Sequence, residues 1–370
     1  MEPDSPQRIT RLTPLGAVLA RIDAAVKPVA AGSADPSAAL GRTLAEAVVV
    51  AAPIPAAALA LRDGWAVASD LTTDAGAYAP APLPAAVRVD VGELLPPHAD
   101  AVAPLDAVTL RHGEAQALAP VGPGEGVLPA GADAAAGAAL LAAGTQLRRL
   151  QVSLLVAAGI TRVQVRAPRV ALLRARTGGD AVIDAALELV AGDIGAAGGI
   201  TIVREAALAD ALQDREADAV VAIGGTGTGR DDASVVTLAR LGHVEAHGVA
   251  LAPGETAAFG LVGPRSVLLL PGRLDAALAV WLVIGRRLLA RLSGASEDTP
   301  TTKAKLGRKV ASTLGLAELV PVRLRDSTAE PIASGYVPLS ALARADGFIL
   351  VPAESEGYPP GAEVMVRPWP

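Results

Sequence analysis

The sequence predicts an α/β multidomain protein, in which a doubly wound, mostly parallel sheet domain is joined to a β-rich insertion and a β-rich C-terminal domain. Three observations carry this expectation. Between residues 168 and 294, short branched apolar runs alternate with stretches of helical periodicity, the pattern of repeated strand–helix–strand units. Residues 53–134 are dense in Pro, Gly and Ala around short apolar runs, which suits a small β-rich insertion. Residues 306–370 follow a polar Pro/Thr/Lys linker and read as a compact β-rich tail. At 370 residues the chain exceeds one ordinary domain, and two to four are expected.

Taken in order, Leu15 to Val29 shows helical periodicity and ends in a loop over residues 31–36. Pro36 to Ala47 reads as a second short helix, and Val48-Val49-Val50 as a strand. These elements group residues 10–55 with 135–168 as a discontinuous N-terminal domain around the 56–134 insertion. The α/β domain spans 169–295. Its elements are a strand at 169–173, a helix at 181–192, a strand near 200–203, a helix at 205–213, a strand at 219–223 and a helix after Asp232. A further buried strand, Ser266 to Leu270, leads into a long apolar helix from Leu274 to Leu292 that packs on the sheet. The C-terminal domain spans 304–370.

The most informative segment is Ala219-Val220-Val221-Ala222-Ile223 followed by Gly224-Gly225-Thr226-Gly227-Thr228-Gly229-Arg230-Asp231-Asp232. A buried strand, a loop of four glycines and two hydroxyls, and a helix N-terminus together make a phosphate or pyrophosphate cradle. Unpaired amides and the helix dipole both favour negative charge there. An ordinary βα turn with positive φ at two glycines is the other reading of these residues. Such a turn does not need four glycines and two acids. The loop lacks the Lys-Ser/Thr pair of a P-loop and the G-x-G-x-x-G spacing of dinucleotide sites.

Composition narrows the function. Hydrophobic residues are 51% of the chain but aromatics only 2%, so the cores are built from Ala, Val and Leu. The absence of cysteine excludes disulfides, thiolate metal sites and cysteine nucleophiles. His243 and His247 stand four apart but lead into Gly248, which reads as strand and turn rather than a metal site. A net charge of −6 argues against nucleic acid as the main partner. No apolar run reaches the roughly 20 residues that span a bilayer. The N-terminal residues lack the basic and apolar regions of a signal peptide, so a cytoplasmic protein is expected.

The glycine loop resembles the GGTG/GGxSxG loop of the molybdopterin-binding fold, shared by molybdopterin adenylyltransferases and molybdopterin molybdenumtransferases. Seven further segments resemble the second group, the MoeA/gephyrin E-domain family. Residues 39–45 (ALGRTLA) resemble A-L-G-R-x-L-A, residues 62–67 (RDGWAV) resemble M-D-G-Y-A-V, and residues 99–104 (ADAVAP) resemble A-D-A-V-V-P. Gly131-Ala132-Asp133 stands where the family has G-E-D, and Thr177-Gly178-Gly179-Asp180 where it has T-G-D-E. Leu270-Pro271-Gly272 matches the start of L-P-G-N-P, and residues 342–352 match l-a-x-A-d-G-l-i-v-l-P. The resemblance runs in order along nearly the whole chain, whereas adenylyltransferases of this fold lack the flanking domains.

This resemblance implies insertion of molybdate into adenylylated molybdopterin, with Mg²⁺-dependent release of AMP. It implies Asp63, Asp133, Asp180 and Asp232 as catalytic residues and Asp180, Asp231 and Asp232 as magnesium ligands, since Mg²⁺ prefers carboxylate and phosphate oxygens. Cofactor contacts are implied for Thr177, Gly178, Gly224, Gly225, Thr226, Gly227, Thr228, Gly229, Arg230, Pro271, Gly272 and Arg273. On residue type alone, Asp63 is also a turn former before Gly64, and Asp133 a surface acid near a helix cap. A homodimer is implied, with residues 10–55 and 135–168 as its dimerisation domain and Asp63 and Asp133 closing over the site from a neighbouring lobe or the partner. The segments Leu15–Val29 and Pro36–Ala47 are apolar enough for an interface or for core. An adenylyltransferase or a client molybdoenzyme is an expected partner.

The chain also departs from the family. Where the family has K-P-G-K-P, this chain has Ala252-Pro253-Gly254-Glu255-Thr256, so one cation becomes apolar and the other an anion. Two unit charges ~4 Å apart interact by roughly 4 kcal/mol at an effective dielectric of 20, so Glu255 opposes an oxyanion that lysine attracts. Arg273-Leu274 replaces Asn-Pro, and Arg176, Arg230 and Arg273 are candidates to restore positive charge. Three functions follow: a molybdenumtransferase with a diverged anion pocket, a non-catalytic carrier or chaperone of the cofactor, and an adenylyltransferase-like activity suggested by GGTGTGRDD. ATP-dependent adenylate formation separates the last from the others.

Overall fold

The computed structural model describes residues 7–176, 178–296 and 300–370. The chain divides into two compact units, residues 47–142 and the remainder. The smaller unit is β-rich. Its central sheet runs Val87–Val89, Gly64–Val67, Ala101–Pro104, all antiparallel, and a second sheet contains Ala81–Pro82, Val108–Arg111 and Glu114–Ala117. Small side chains such as Ala101, Ala103, Ala115 and Ala117 fill its core beside Val67 and Leu83.

The larger unit holds a six-stranded sheet in the order Ile200–Arg204, Arg169–Arg174, Ala219–Ile223, Arg265–Leu270, Ala258–Val262, His243–His247. The first four strands are parallel and the last two pair antiparallel. Ala219–Ile223 is buried along its whole length, as a parallel strand covered on both faces must be. Side-chain alternation divides its neighbours between two cores. Val170, Leu172, Val221, Leu268 and Leu270 face the helix Ala181–Ala196 and the segment from Leu274 to Ser293. Ala171, Leu173, Val220, Ala222 and Leu269 face the helices Leu208–Gln213 and Ser234–Leu241. Ile183, Ala186, Val190 and Ile194 give the first of these helices a single buried stripe at spacings of three and four. Helices on both faces of a mostly parallel sheet make it doubly wound.

The C-terminal strands Ala317–Arg325, Thr328–Pro331, Thr302–Leu306, Glu363–Pro368 and Gly347–Val351 pair in that order, and the last returns to the first to close a ring. Thr13–Pro14 and Val249–Ala252 extend this sheet in parallel, with Leu251 opposite Ala317 and Ala252 opposite Glu318. The loop after Ala252 is therefore fixed where the barrel meets the α/β layers.

Three local expectations are corrected. The helix expected over Pro36–Ala47 does not form. Pro36–Ala39 makes one 3-10 turn, Gly41 adopts a left-handed φ of 81°, and Thr43–Leu44 becomes a strand beside Val163–Arg166. The first helix ends at Ala25 rather than Val29, because Pro28 forces its predecessor out of the helical region. Its apolar face, with Leu15, Val18 and Ile22, is core and not free surface. The long final helix contains a π-helical turn at Trp281–Gly285, between Leu274–Val280 and Arg286–Ser293.

Candidate functional site

The strands Arg169–Arg174, Ala219–Ile223 and Arg265–Leu270 end side by side, and three helices start just beyond them, at Ala181, Ser234 and Leu274. Ligands of open α/β sheets bind at this carboxyl edge. Ile183, in the first turn of its helix, touches the positions of Gly224 and Gly272, so the glycine loop, the Leu270–Gly272 turn and that helix start form one surface.

The glycine loop is held almost entirely by its carbonyls. Ser234 Oγ donates to Gly224 O (2.8 Å), and the Ser234 amide donates to Gly225 O (3.1 Å). Gln7 Nε2 donates to Gly225 O (2.8 Å) and Gly227 O (2.5 Å), and His247 Nε2 meets Thr226 O at 3.1 Å. A carbonyl only accepts, so His247 carries its proton on Nε2 in this contact. Burial, only partly opposed by that bond, holds the His247 pKa below its ordinary value and keeps the ring neutral. The Thr226 and Thr256 hydroxyls pair at 2.9 Å. The Gly224 amide is spent on Leu270 O (2.8 Å), whereas the amides of residues 225–228 donate to no protein group among the described residues. Gly224 and Gly225, with φ of 99° and 66°, make this possible. The result is a short run of unengaged N–H groups beside a helix N-terminus, which is the chemistry of an anion site.

The expected acidic residues have separate roles. Asp232 folds back over the loop, its Oδ2 accepting from the Gly229 amide (3.0 Å). Asp231 pairs with Arg176 at 3.3 Å. Asp180 caps its helix, Oδ1 accepting from the amides of Val182 (2.9 Å) and Ile183 (3.4 Å). No group of three or more His, Asp or Glu among the described residues is placed to hold a metal ion. Thr177 lies outside the described residues; Gly178 and Gly179 are exposed, and Gly178 O accepts from Arg174 (3.4 Å). Thr228 and Arg230 are exposed without side-chain partners among the described residues. A cavity of about 840 Å³ is lined by Arg174, Arg176, Gly178, Arg204, Glu205 and Asp231 among others.

Pro271 is buried, and Arg273 is exposed. Arg273 donates from Nη2 (2.6 Å) and Nε (3.1 Å) to the buried Asp275 and stacks on the Tyr336 ring, 5.1 Å to the centroid. Asp275 also accepts from the Val337 amide of the barrel (3.1 Å). Asp275 first, then Glu255 and Tyr336, hold the Arg273 pKa above its ordinary value. Glu255 folds onto its own loop, accepting from the Gly254 amide (3.0 Å). The cation that replaces Asn in the family turn is thus already paired.

Asp63 and Asp133 belong to the smaller unit. Both are exposed; Asp63 Oδ1 accepts from the Val91 amide (2.8 Å), a turn-closing role, and Asp133 engages Ile54 through its backbone. Sequence reasoning missed Gln7, His247, Thr256, Asp275 and Tyr336.

The sequence pattern of the MoeA N-terminal region (domain I and II) matches residues 13–159. That of the family described as "probable molybdopterin binding domain" matches 198–291, and that of the MoeA C-terminal region (domain IV) matches 303–369. Among solved structures, the molybdopterin biosynthesis protein MoeA of Pyrococcus horikoshii superimposes with a TM-score of 0.79 at 27% identity, covering 97% of this chain and all of that one. Among curated proteins, molybdopterin molybdenumtransferase 1 of Mycobacterium tuberculosis is 33% identical over 230 residues, 56% of this chain and 53% of that protein. A molybdopterin biosynthesis protein of Methanocaldococcus jannaschii is 35% identical over 153 residues, 41% of this chain and 36% of that protein. The matched stretches span about a third to a half of these curated relatives.

Proposed function

We propose that this chain, which belongs to the MoeA family, is a molybdopterin molybdenumtransferase that inserts molybdate into adenylylated molybdopterin and releases AMP. The supporting observation is the glycine loop, whose carbonyls at 224–227 are all taken while the amides of 225–228 are unengaged. In this reading those amides and the dipole of Ser234–Leu241 receive a phosphate of the substrate. They also meet the charge that grows on its oxygens as the pyrophosphate bond is hydrolysed. Arg174, Arg176 and Arg204 line a cavity beside the loop, and each is already paired with carboxylates: Asp184, Asp231, and Asp214 with Glu216 respectively.

The family implies Mg²⁺. The acids expected to hold it do not come together, being engaged by a loop amide, by Arg176 and by a helix start, so no step is assigned to the ion. A homodimer belongs to this reading. Leu150 and Leu154 stand one turn apart and exposed on the helix Arg149–Ala157, a candidate contact in place of the buried face of Leu15–Ala25. Among the described residues no helix is long and apolar enough to cross a membrane, and a cytoplasmic setting is proposed.

One observation favours a second reading, a carrier without turnover. Arg273 is neutralised by Asp275 and Glu255, where an oxyanion pocket needs spare positive charge. Incubation with adenylylated molybdopterin and Mg²⁺, before and after molybdate addition, separates the two. Molybdate-dependent AMP release supports the transferase. Tight binding without AMP release replaces it with the carrier.

A further inference from the structure

The N-terminal segment contributes a residue that the family pattern, starting at residue 13, does not include. Gln7 is 1% exposed, and its carboxamide is saturated by groups more than 200 residues away. Nε2 donates to Gly225 O and Gly227 O, while Oε1 accepts from the Val235 amide at 3.1 Å. The helix Ser234–Leu241 begins after Ala233, which has no side-chain oxygen, so Gln7 supplies its missing N-terminal acceptor from another part of the chain. Strand pairing brings the segment there: the Thr13 amide donates to Gly248 O (2.8 Å), and Thr13 and Pro14 lie opposite Val249 and Ala250.

The two bonds to the loop have a directional consequence. In a planar trans peptide the C=O of one residue and the N–H of the next point in opposite directions. Drawing Gly225 O and Gly227 O onto a single carboxamide therefore turns the N–H groups of Thr226, which is buried, and Thr228, which is exposed, away from it. Only a primary amide offers two hydrogens on one atom and an acceptor on the other.

We propose that Gln7 is a positioning residue for the anion cradle, fixing the peptide planes so that the Thr226 and Thr228 amides face the bound phosphate. The proposal rests on the phosphate-binding reading of the glycine loop. Gln7→Glu is nearly isosteric, keeps an acceptor for Val235 and sets a carboxylate against two carbonyls. Gln7→Met removes both functions, and exposed Arg8→Ala is the neighbouring control. Amide NMR spectra of the free proteins and steady-state AMP release are then compared.

Expected for both Gln7 variants are displaced amide resonances at Thr226 and Thr228. The KM for adenylylated molybdopterin rises about tenfold while kcat stays within about twofold, the pattern of lost uniform binding. Arg8→Ala matches the parent in both. Unmoved loop amides and unchanged KM overturn the proposal. So does a fall in kcat with resonance changes spread through the domain, which marks a purely structural role. If Gln7→Met does not fold, Gln7→Glu, which retains the helix cap, carries the test. If the parent protein itself releases no AMP, the transferase reading fails while the amide resonances still decide the role of Gln7.

Discussion

Gly225→Ala tests the cradle at its narrowest point. Gly225 has a φ of 66°, and a Cβ there lies 2.4 Å from Ser234 Oγ, closer than any real contact. That oxygen donates to Gly224 O at 2.8 Å in a buried position, so it cannot move without giving up the bond. The left-handed backbone costs alanine about 1–2 kcal/mol, and the displaced hydrogen bond about 1 kcal/mol more. A loss of about 2–3 kcal/mol follows, read as a lower urea midpoint at unchanged slope. The same displacement tilts the amides of 226 and 227, so affinity for adenylylated molybdopterin falls at least tenfold. Adding Ser234→Gly relieves the clash but not the backbone strain, and is expected to recover only part of the stability. A Gly225→Ala protein with the parent's midpoint and affinity refutes both the packing argument and the loop's role.

Other perturbations probe the surroundings. Because the His247 pKa is depressed in the folded state, the unfolded chain binds more protons just below the ordinary histidine value. Stability is then full above about pH 6.5 and is lost as pH falls from there toward the depressed value; His247→Gln flattens this slope in unfolding curves, and an unchanged slope removes His247 from the loop's support. Glu255→Lys places a cation beside Arg273 and is expected to tighten molybdate binding, more strongly at low salt; equal affinity at both salt levels moves residues 252–256 out of the oxyanion pocket. Asp275→Asn frees Arg273, whose side chain is 59% exposed, so solvent limits the cost to about 1–2 kcal/mol in urea unfolding. A cost near zero contradicts the anchoring of Arg273 and Val337 by this carboxylate. Gly192→Ala lies within the helix Ala181–Ala196 with nothing near the added methyl, and stabilises by about 0.5–1 kcal/mol; destabilisation contradicts the packing of that helix face.

Much of the fold is legible because its periodicities are strong. The all-apolar run 219–223 and the stripe Ile183, Ala186, Val190, Ile194 each fit one type of element only. Pro36–Ala47 misleads because its alanines carry helical propensity, whereas strand pairing with Val163–Arg166 is a tertiary contact that propensity does not encode. The glycine loop declares itself through backbone chemistry, since only glycine makes a left-handed loop conformation inexpensive. The groups that orient it do not. Gln7, His247 and Thr256 act through long-range hydrogen bonds, and no local spacing marks them. The resemblance implied ligand roles for Asp180, Asp231 and Asp232; in the folded chain these carboxylates meet a helix start, Arg176 and a loop amide, contacts that local spacing does not encode.

Titration of the isotopically labelled protein with adenylylated molybdopterin, followed by backbone amide NMR, tests the central claim most directly. The largest shifts are expected on the amides of residues 225–228 and on the first turn of Ser234–Leu241. Saturable binding whose shifts fall elsewhere, with those amides unmoved, contradicts it.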